Sequence, residues 1–459
     1  MECLACWPFG TKGHYHLPNA FSAVLADFVI RSRLIKDSNL EITFVHDTWN
    51  VQGKYTDYQA IATLTGLSYE DIEKNYRRII GKKLYDIISI GKEIATNNIE
   101  KSKSIKKKLN LLPSGLYIRG QLVKSLEFRD DSKLSWKTAQ KMFLRLYKEG
   151  FVYWNGDPQE PEFFLDMPKL LSNMPLEKLL ERTSMPSFAV NNFRNNYEVY
   201  KRDMPLSTIR AYATPIPLYI SETGRLIVPN ENDLPIDPRI NGLYIRGKIS
   251  KNPAVVIKPL FNLYFLSIIL GEIAEKEFNC ITYSNDQSLM TRFNFPQLLI
   301  SSFLGKSKGT HKQIFYDLLI DKNRRRFSFK GNLTLSLEEL TKDGPSFARF
   351  IIAKNLKLGG GEIIFQKDTA TYSKLVKIIE EIQQRERGDK GEVESGLFKK
   401  KINDFESIYM PIIESFNINQ AINFLIDYLF RAKKIEGKLP EQVDTALKYL
   451  EAILCTKTN

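Results

Sequence analysis

Long apolar runs are absent from this 459-residue sequence. The longest candidate, Pro259 to Ala274, is broken by Asn262, Ser267, Gly271 and Glu272, which excludes it as a bilayer-spanning helix. The first residues lack the basic segment and apolar core of a secretory leader. Cysteine is scarce as well: four residues make no disulfide framework, and a reducing, cytoplasmic setting without a membrane partner is expected. Cys3-Leu-Ala-Cys6 is one pair with no second pair, Cys280 and Cys455 stand alone, and residues 151–215 contain no cysteine. The four histidines, His14, His16, His46 and His311, are too scattered for a ligand set, so no metal site is expected.

What is present is ordinary for a folded chain. The 43% hydrophobic and 26% charged content excludes disorder as the main state, and the length suits two or three domains. The 66 basic and 53 acidic residues leave a net charge of +13. That excess fits a polyanionic partner held by phosphate neutralisation, and it equally fits a lysine-rich background. The densest basic run, Lys101 to Lys108, reads as well as a solvated helix face as it does as a contact surface.

The opening reads as strand, loop, helix, strand. Met1 to Trp7 is short and apolar, Pro8 to Gly13 is turn-rich, and Phe21, Val24, Leu25, Phe28 and Val29 recur at helical spacing with one buried face. Leu40 to Val45 alternates like a strand. This is the unit of a parallel α/β sheet, with a phosphate-bearing ligand expected beyond the first strand's carboxyl end. Further on, residues 68–104 read as helix, as does Ser135 to Gly150 with Ser135 as N-cap and Gly150 as stop. Pro158, Pro161, Pro168, Pro175 and Pro186 mark an irregular insertion, and Thr214 to Asp237 is proline-rich and β-like. From Thr371 to Ile453 the pattern is helical, with Leu375, Ile378, Ile379 and Ile382 on one face and a polar break from Arg385 to Glu394. Gly115-Leu-Tyr-Ile-Arg-Gly120 recurs as Gly242-Leu-Tyr-Ile-Arg-Gly247, an echo read as a local turn similarity.

Several stretches carry a resemblance in chain order. Lys12-Gly-His-Tyr-His-Leu-Pro-Asn-Ala20 is similar to the segment Asn-Gly-x-x-His-x-Gly-His-Ala of class I aminoacyl-tRNA synthetases of the methionyl, leucyl, isoleucyl and valyl type. His16 matches the first histidine, Asn19 stands at the second, and Pro18 replaces the glycine. Leu206 to Ile220 resembles the family's Ile-Ser-Arg to Thr-Pro-Ile-Pro segment, with Tyr212 for tryptophan, Ala213 for glycine and Thr214-Pro-Ile-Pro217 intact. Ser284 to Pro296 resembles the Gly-Lys-Asp segment, keeping Asp286 and Pro296, with Thr291 for histidine. Arg325 to Ala353 resembles Lys-Met-Ser-Lys-Ser-Arg-Gly-Asn and the helices after it: Arg325 and Ser328 fall on the two lysines, Lys330 is two residues on, and Gly331-Asn332, Leu337-Glu-Glu-Leu340 and Arg349 align. Lys248-Ile-Ser-Lys251 competes for that loop but lacks the downstream helix signature. After the second predicted strand, Asp47-Thr-Trp-Asn-Val-Gln-Gly53 occupies the place of Gly-Thr-Asp-Glu-His-Gly.

The resemblance implies an α/β fold: a Rossmann-like parallel-sheet catalytic domain in two halves, 1–150 and 216–335, split by a connective insertion at 151–215. A stem at 336–370 and a C-terminal helical bundle at 371–459, similar to an anticodon-binding domain, complete it. It implies ATP with Mg²⁺, an amino acid and tRNA as partners, and no DNA. The chemistry implied is attack of an amino-acid carboxylate on the α-phosphate of ATP, then transfer from the adenylate to tRNA or another acceptor. His16, Asn19, Arg325, Ser328 and Lys330 are the implied catalytic set; Gly13, His16, Asn19, Asp286 and Lys330 the nucleotide contacts; Asp47, Trp49 and Tyr212 the amino-acid pocket. Two other readings stay open: a non-catalytic paralogue that binds tRNA or a protein, and an unrelated nucleotide-binding α/β protein.

Overall fold

The computed structural model describes residues 2–6, 17–45, 53–126, 133–157, 160–221, 223–234, 255–258, 280–286, 310–327, 337–387 and 404–455, with single residues between 268 and 300. The architecture grows from the opening unit: β1 (Glu2–Cys6), α1 (Leu17–Lys36) and β2 (Ile42–Val45), with β1 and β2 parallel. After β2 come α2 (Lys54–Thr65) and α3 (Tyr69–Lys108), then the hairpin β3 (Gly115–Ile118) and β4 (Gln121–Lys124), then α4 (Lys133–Lys148). The hairpin turns on Arg119 (φ 53°) and Gly120 (φ 70°), both in the left-handed region that a two-residue type I′ turn requires. The first copy of the hexapeptide echo is therefore a strand and its turn; the second lies outside the described residues.

The insertion folds as a small antiparallel sheet, β5 (Val152–Trp154), β6 (Phe163–Leu165) and a short strand reached after a further one, wrapped by α5 (Met167–Asn173), α6 (Leu176–Glu181), α7 (Ser187–Asn195) and α8 (Tyr197–Tyr200). The further one is β7 (Thr183–Ser184), which leaves the insertion to join the main sheet; β8 (Met204–Pro205) completes the small sheet. Next come β9 (Ser207–Ile209), the hairpin β10 (Tyr219–Ile220) and β11 (Leu226–Ile227), and β12 (Val255–Ile257), which pairs antiparallel with β9. β13 (Cys280–Asp286) and β14 (Thr310–Tyr316) return to the main sheet, whose order is β4-β3-β2-β1-β13-β14-β7. β15 (Leu318–Ile320) and β16 (Glu362–Ile364) form a separate parallel pair.

Alternation along each strand feeds two cores. Leu4, Ile42, Phe44, Ile314 and Tyr316 face α1 and the C-terminal helices, while Cys3, Val45 and Phe315 face α4 and the insertion. The last helices are α9 (Leu337–Thr341), α10 (Pro345–Asn355), α11 (Thr369–Gln383), α12 (Phe405–Glu414), α13 (Ile418–Ala432) and α14 (Gln442–Leu454). On α11, Leu375, Ile378 and Ile382 are buried as the periodicity predicts, with Ile379 half-buried beside them.

Two local expectations change. The pattern of α1 predicts one buried face, but every residue from Ala20 to Ile30 is buried. The sheet covers one side, and α10, α12 and α14 cover the other. Ser135 is no N-cap: α4 starts two residues earlier, and Ser135 is a fully buried position inside it. Burial against the core has overridden the capping preference of serine. Gly150, at φ 75°, does end the turn that follows α4, and the amide of Phe151 reaches back to Leu146 O at 2.8 Å. The polar break begins as a pin: the Arg385 guanidinium donates to the carbonyls of Lys433 (3.1 Å), Ile435 and Gly437 (2.6 Å) just past α13, and Arg387 Nε meets Asp444 Oδ1 at 2.8 Å. Cations suit the unsatisfied carbonyls of a helix end.

One buried ion pair ties the halves together. Asp27, in the middle of α1, and Arg349, on α10, are both fully buried, with Nη2 2.5 Å from Oδ2. Arg349 also donates from Nε to Ile453 O (2.5 Å) and from Nη1 to Leu109 O (3.0 Å), while its guanidinium lies 4.7 Å from the Phe28 ring centroid. Asp27 in turn accepts from Arg31 Nε (2.8 Å) and from the Leu112 amide (2.7 Å). The arginine that aligned with a family stretch is thus the clamp joining α1, the end of α3 and the last turn of α14.

Candidate functional site

β1 is flanked by parallel neighbours on both sides: Ala5 pairs with Val45 of β2 and with Tyr283 of β13, and Cys6 pairs with Ser284. The chain therefore runs outward from β1 in both directions, and the carboxyl ends of β2, β1 and β13 lie side by side. In open α/β sheets such a switch point is the crevice where ligands bind. The α1 N-terminus follows β1 at this edge; Pro18 occupies its second position, where a missing N–H costs no intrahelical bond.

Asn19 lies in the first turn of α1 and Asp286 is the last residue of β13. Gly13, His16, Asp47, Trp49, Ser328 and Lys330 lie outside the described residues. Their chain neighbours are fixed, however. Gly13 and His16 connect Cys6 to Leu17, and Asp47 and Trp49 follow Val45, so both stretches leave from adjacent strand ends. Ser328 and Lys330 lie between Phe327 and Leu337, both packed into the core that buries Leu17 and Phe21. Phe327 stacks edge-on against Phe365 with ring centroids 5.8 Å apart.

Arg325 is at the base of that stretch, in a turn organised by Asp321. Asp321 Oδ1 accepts the amides of Asn323 (2.9 Å) and Arg325 (2.7 Å), and its Oδ2 takes the Arg325 guanidinium at 3.0 and 2.8 Å. The side chain is well exposed and held by its own turn. Tyr212 is 5% exposed, with its ring 5.5 Å from that of Trp136 and Lys92 Nζ 4.5 Å above it. It packs in the cluster that joins α2, α3 and α4, away from Asn19 and Asp286 in sequence and in element. The intact Thr214-Pro-Ile-Pro217 segment is pinned to β12: Ile257 N donates to Thr214 O at 2.8 Å, Pro215 bridges Val256, and Gln140 Nε2 meets Pro215 O at 3.0 Å.

Sequence reading missed a buried acid beside this segment. Asp57, in the first turn of α2, is fully buried; its Oδ2 accepts from Tyr76 Oη (2.5 Å) and from the Ala211 amide (3.2 Å), while Oδ1 has no hydrogen-bond partner among the described residues. Burial pushes its carboxyl up to about 6, against the pull of Tyr76 and Arg210. An acid in the first turn of a helix reads as a solvated residue near the positive dipole end, and only the packing of residue 57 beneath residues 209–211 reveals otherwise. Among the described residues no group of three His, Cys, Asp or Glu is arranged to hold a metal ion, and no helix is long and apolar enough to cross a membrane.

A sheet whose strands from β2 to β7 across the switch point run parallel, with the antiparallel β3–β4 hairpin at its other edge, a connective insertion after α4 and a helical bundle behind α1 define the fold of the class I aminoacyl-tRNA synthetases. Over 99% of its length the chain superimposes on 83% of the agnB2 LeuRS of Agrobacterium radiobacter K84, solved as a ternary complex with tRNA and LeuAMS, with a TM-score of 0.67 and 11% identity. It matches a Mycobacterium tuberculosis methionyl-tRNA synthetase bound by methionyl-adenylate with a TM-score of 0.61 at 10% identity, over 98% of this chain and 88% of that one. A 37-residue stretch, 8% of this chain, is 49% identical to a valine–tRNA ligase of Thermococcus kodakarensis and spans 4% of that protein's length. No family model matches the chain.

Proposed function

We propose that this protein activates an amino acid with ATP, forming an aminoacyl-adenylate and pyrophosphate, and passes the acyl group to tRNA or another acceptor in the cytoplasm. The observation that carries this reading is the whole-chain synthetase fold, in which the family-like sequence segments follow the switch-point strands in the chain. In this reading His16 and Asn19 bond the α-phosphate as it gains charge, Gly13 and Asp286 line the nucleotide, and Lys330 on the 328–336 stretch takes the role of the lysine that Ser328 replaces. Arg325 adds positive charge at the base of that stretch. Asp47 and Trp49 shape the amino-acid pocket, whereas Tyr212 is packed on Trp136 in the cluster of α2, α3 and α4 and takes no part in it. Mg²⁺ bound with the ATP would supply neutralising charge to its phosphates. Catalysis is then positioning and charge stabilisation. The bundle at 371–459 supplies the anticodon-side surface, and 151–215 acts as the connective insertion.

The test is amino-acid-dependent exchange of labelled pyrophosphate into ATP, run over all twenty amino acids. Exchange with one of them is expected, and His16→Ala is expected to cut it by about a hundred- to a thousand-fold, the cost of one lost transition-state donor, at an unchanged thermal midpoint. Lys330→Ala is expected to slow exchange more than Lys248→Ala; the reverse ranking moves the loop to Lys248-Ile-Ser-Lys251.

Ser328 in place of a lysine and Pro18 in place of a glycine favour a second reading, in which the fold is kept for binding tRNA or a protein and the chemistry is gone. Absence of exchange with every amino acid, together with tRNA binding that falls steeply with salt, would select it.

A further inference from the structure

The small sheet of the insertion turns one face to the core and the other to solvent. Alternation points Val152, Phe163 and Leu165 inward, where they join the core beside α4. The intervening positions form a row across three strands: Tyr153 of β5 pairs with Phe164 of β6, and Phe164 pairs with Pro205 of β8. The two rings stack on each other, with centroids 5.5 Å apart and planes at 20°. Neither ring belongs to the core beneath, and Tyr153 is 40% exposed.

Carboxylates frame this row. Continuing the register sets Asp166 opposite Asp203 at one end, and Glu162 lies two residues before Phe164 at the other. Asp203 Oδ2 accepts from Tyr153 Oη at 2.6 Å, and Asp166 Oδ1 caps α5 through the Lys169 amide at 2.9 Å. The Tyr153 hydroxyl is pushed up to about 12, first by its hydrogen bond to Asp203, then by burial and by the charges of Asp203 and Asp166. Neighbouring cations are turned elsewhere. Lys169 Nζ donates to the carbonyls of Gly150 (2.9 Å) and Glu149 (3.3 Å), and Lys201 Nζ meets Glu198 Oε1 at 2.7 Å. Arg77 holds Glu160 at 2.8 Å and reaches Glu162 at 3.7 Å. Arg202, in the bend before Asp203, is an exposed cation beside the row.

On a chain of net charge +13, an aromatic strip edged by carboxylates is a local reversal of sign. The field there favours a cation over a polyanion. A guanidinium suits both parts of the strip, because its plane stacks on an aromatic ring while its N–H groups reach a carboxylate.

We propose that the outer face of the insertion sheet docks an arginine-bearing segment of a partner protein, with a guanidinium against Tyr153 and its N–H groups toward Asp203. The inference does not rest on the activation chemistry, since the face uses none of the residues assigned to it.

The experiment measures binding of a short labelled peptide of Arg-Gly-Gly repeats to the full chain, with the Lys-Gly-Gly peptide of equal length and charge as the second probe. The parent chain is expected to hold the arginine peptide at least about threefold more tightly than the lysine one. Tyr153→Ala is expected to weaken binding about five- to tenfold, and Tyr153→Phe, which keeps the ring, by less than about threefold. Asp203→Lys is expected to weaken it about tenfold or more, and Arg202→Gln to tighten it about twofold. Glu380→Lys, at an exposed position of α11, makes the same charge change as Asp203→Lys and is expected to shift affinity by less than about twofold. Thermal melts verify that the variants fold, and Tyr153→Leu replaces Tyr153→Ala should that variant not. Loss in Tyr153→Ala with retention in Tyr153→Phe supports the docking face. No binding of the arginine peptide by the parent chain, equal behaviour of Asp203→Lys and Glu380→Lys, or a loss in Arg202→Gln overturns it. Self-association of the parent chain in sedimentation that Tyr153→Ala abolishes would make a second copy the occupant, and overturns it as well.

Discussion

Arg349→Met is expected to destabilise the chain by about 3–5 kcal/mol, the usual cost of removing one partner from a buried ion pair. The magnitude follows from what is left behind. Asp27 stays fully buried and keeps only Arg31 and the Leu112 amide, and the carbonyls of Leu109 and Ile453 lose their donor. Methionine fills much of the aliphatic volume, so the loss reports on the charge and its hydrogen bonds rather than on a cavity. A shift of the urea midpoint by less than about 1 kcal/mol equivalent would show that the clamp contributes little. Asp27→Leu/Arg349→Met is expected to recover a large part of the loss, since it removes both charges together. A double variant no better than the single would place the cost in the carbonyls instead.

The second expected result concerns two buried groups with opposite pH dependence. His311 on β14 is 2% exposed, and among the described residues neither ring nitrogen has a hydrogen-bond partner. Burial pulls its imidazole down to about 4 from 6.5. The unfolded chain then binds a proton that the folded chain refuses, so the contribution of His311 to stability is lost as pH falls from about 6.5 to 4. Asp57 behaves in the opposite sense: with its carboxyl raised from 3.8 to about 6, the folded chain holds a proton that the unfolded one has released. Stability from that group is lost as pH rises from about 4 to 6. The two slopes oppose each other over one window. His311→Leu is therefore expected to stabilise most at pH 4–5 and less at pH 7.5, and Asp57→Asn most at pH 7 and least at pH 4. Unfolding midpoints across that range test both, and variant curves parallel to the parent would show that neither group titrates as its burial implies.

The opening strand, helix and strand were legible because their periodicities of two and 3.6 coexist within one short stretch. The depth of α1 was not, since burial on its second side comes from α10, α12 and α14, three hundred and more residues away. Ser135 misled for the same reason: a residue with a strong local preference was covered by distant packing. The order of the family-like segments gave the fold away, and the structure adds physical reasons for some of them. Thr214-Pro-Ile-Pro217 is pinned to a strand and Arg349 is a clamp, roles that serve the architecture before any chemistry. The outer face of the insertion sheet was invisible in one dimension. Tyr153, Phe164 and Pro205 meet only through strand pairing, and the acids beside them form no run. The densest charged run, Lys101 to Lys108, lies instead at the end of α3.

The pairing of β7 with β14 sets a rule for engineering this chain. Thr183 and Ser184 arrive from within the insertion yet lie along the outer margin of the main sheet, with His311 and Lys312 opposite them. Excising 151–215 as a cassette would strip β14 of that cover and leave its backbone amides and carbonyls open to a second molecule, so a minimal sheet domain cut there would tend to self-associate. A graft that keeps residues 183–184 in register while replacing what lies on either side would retain the sealed margin.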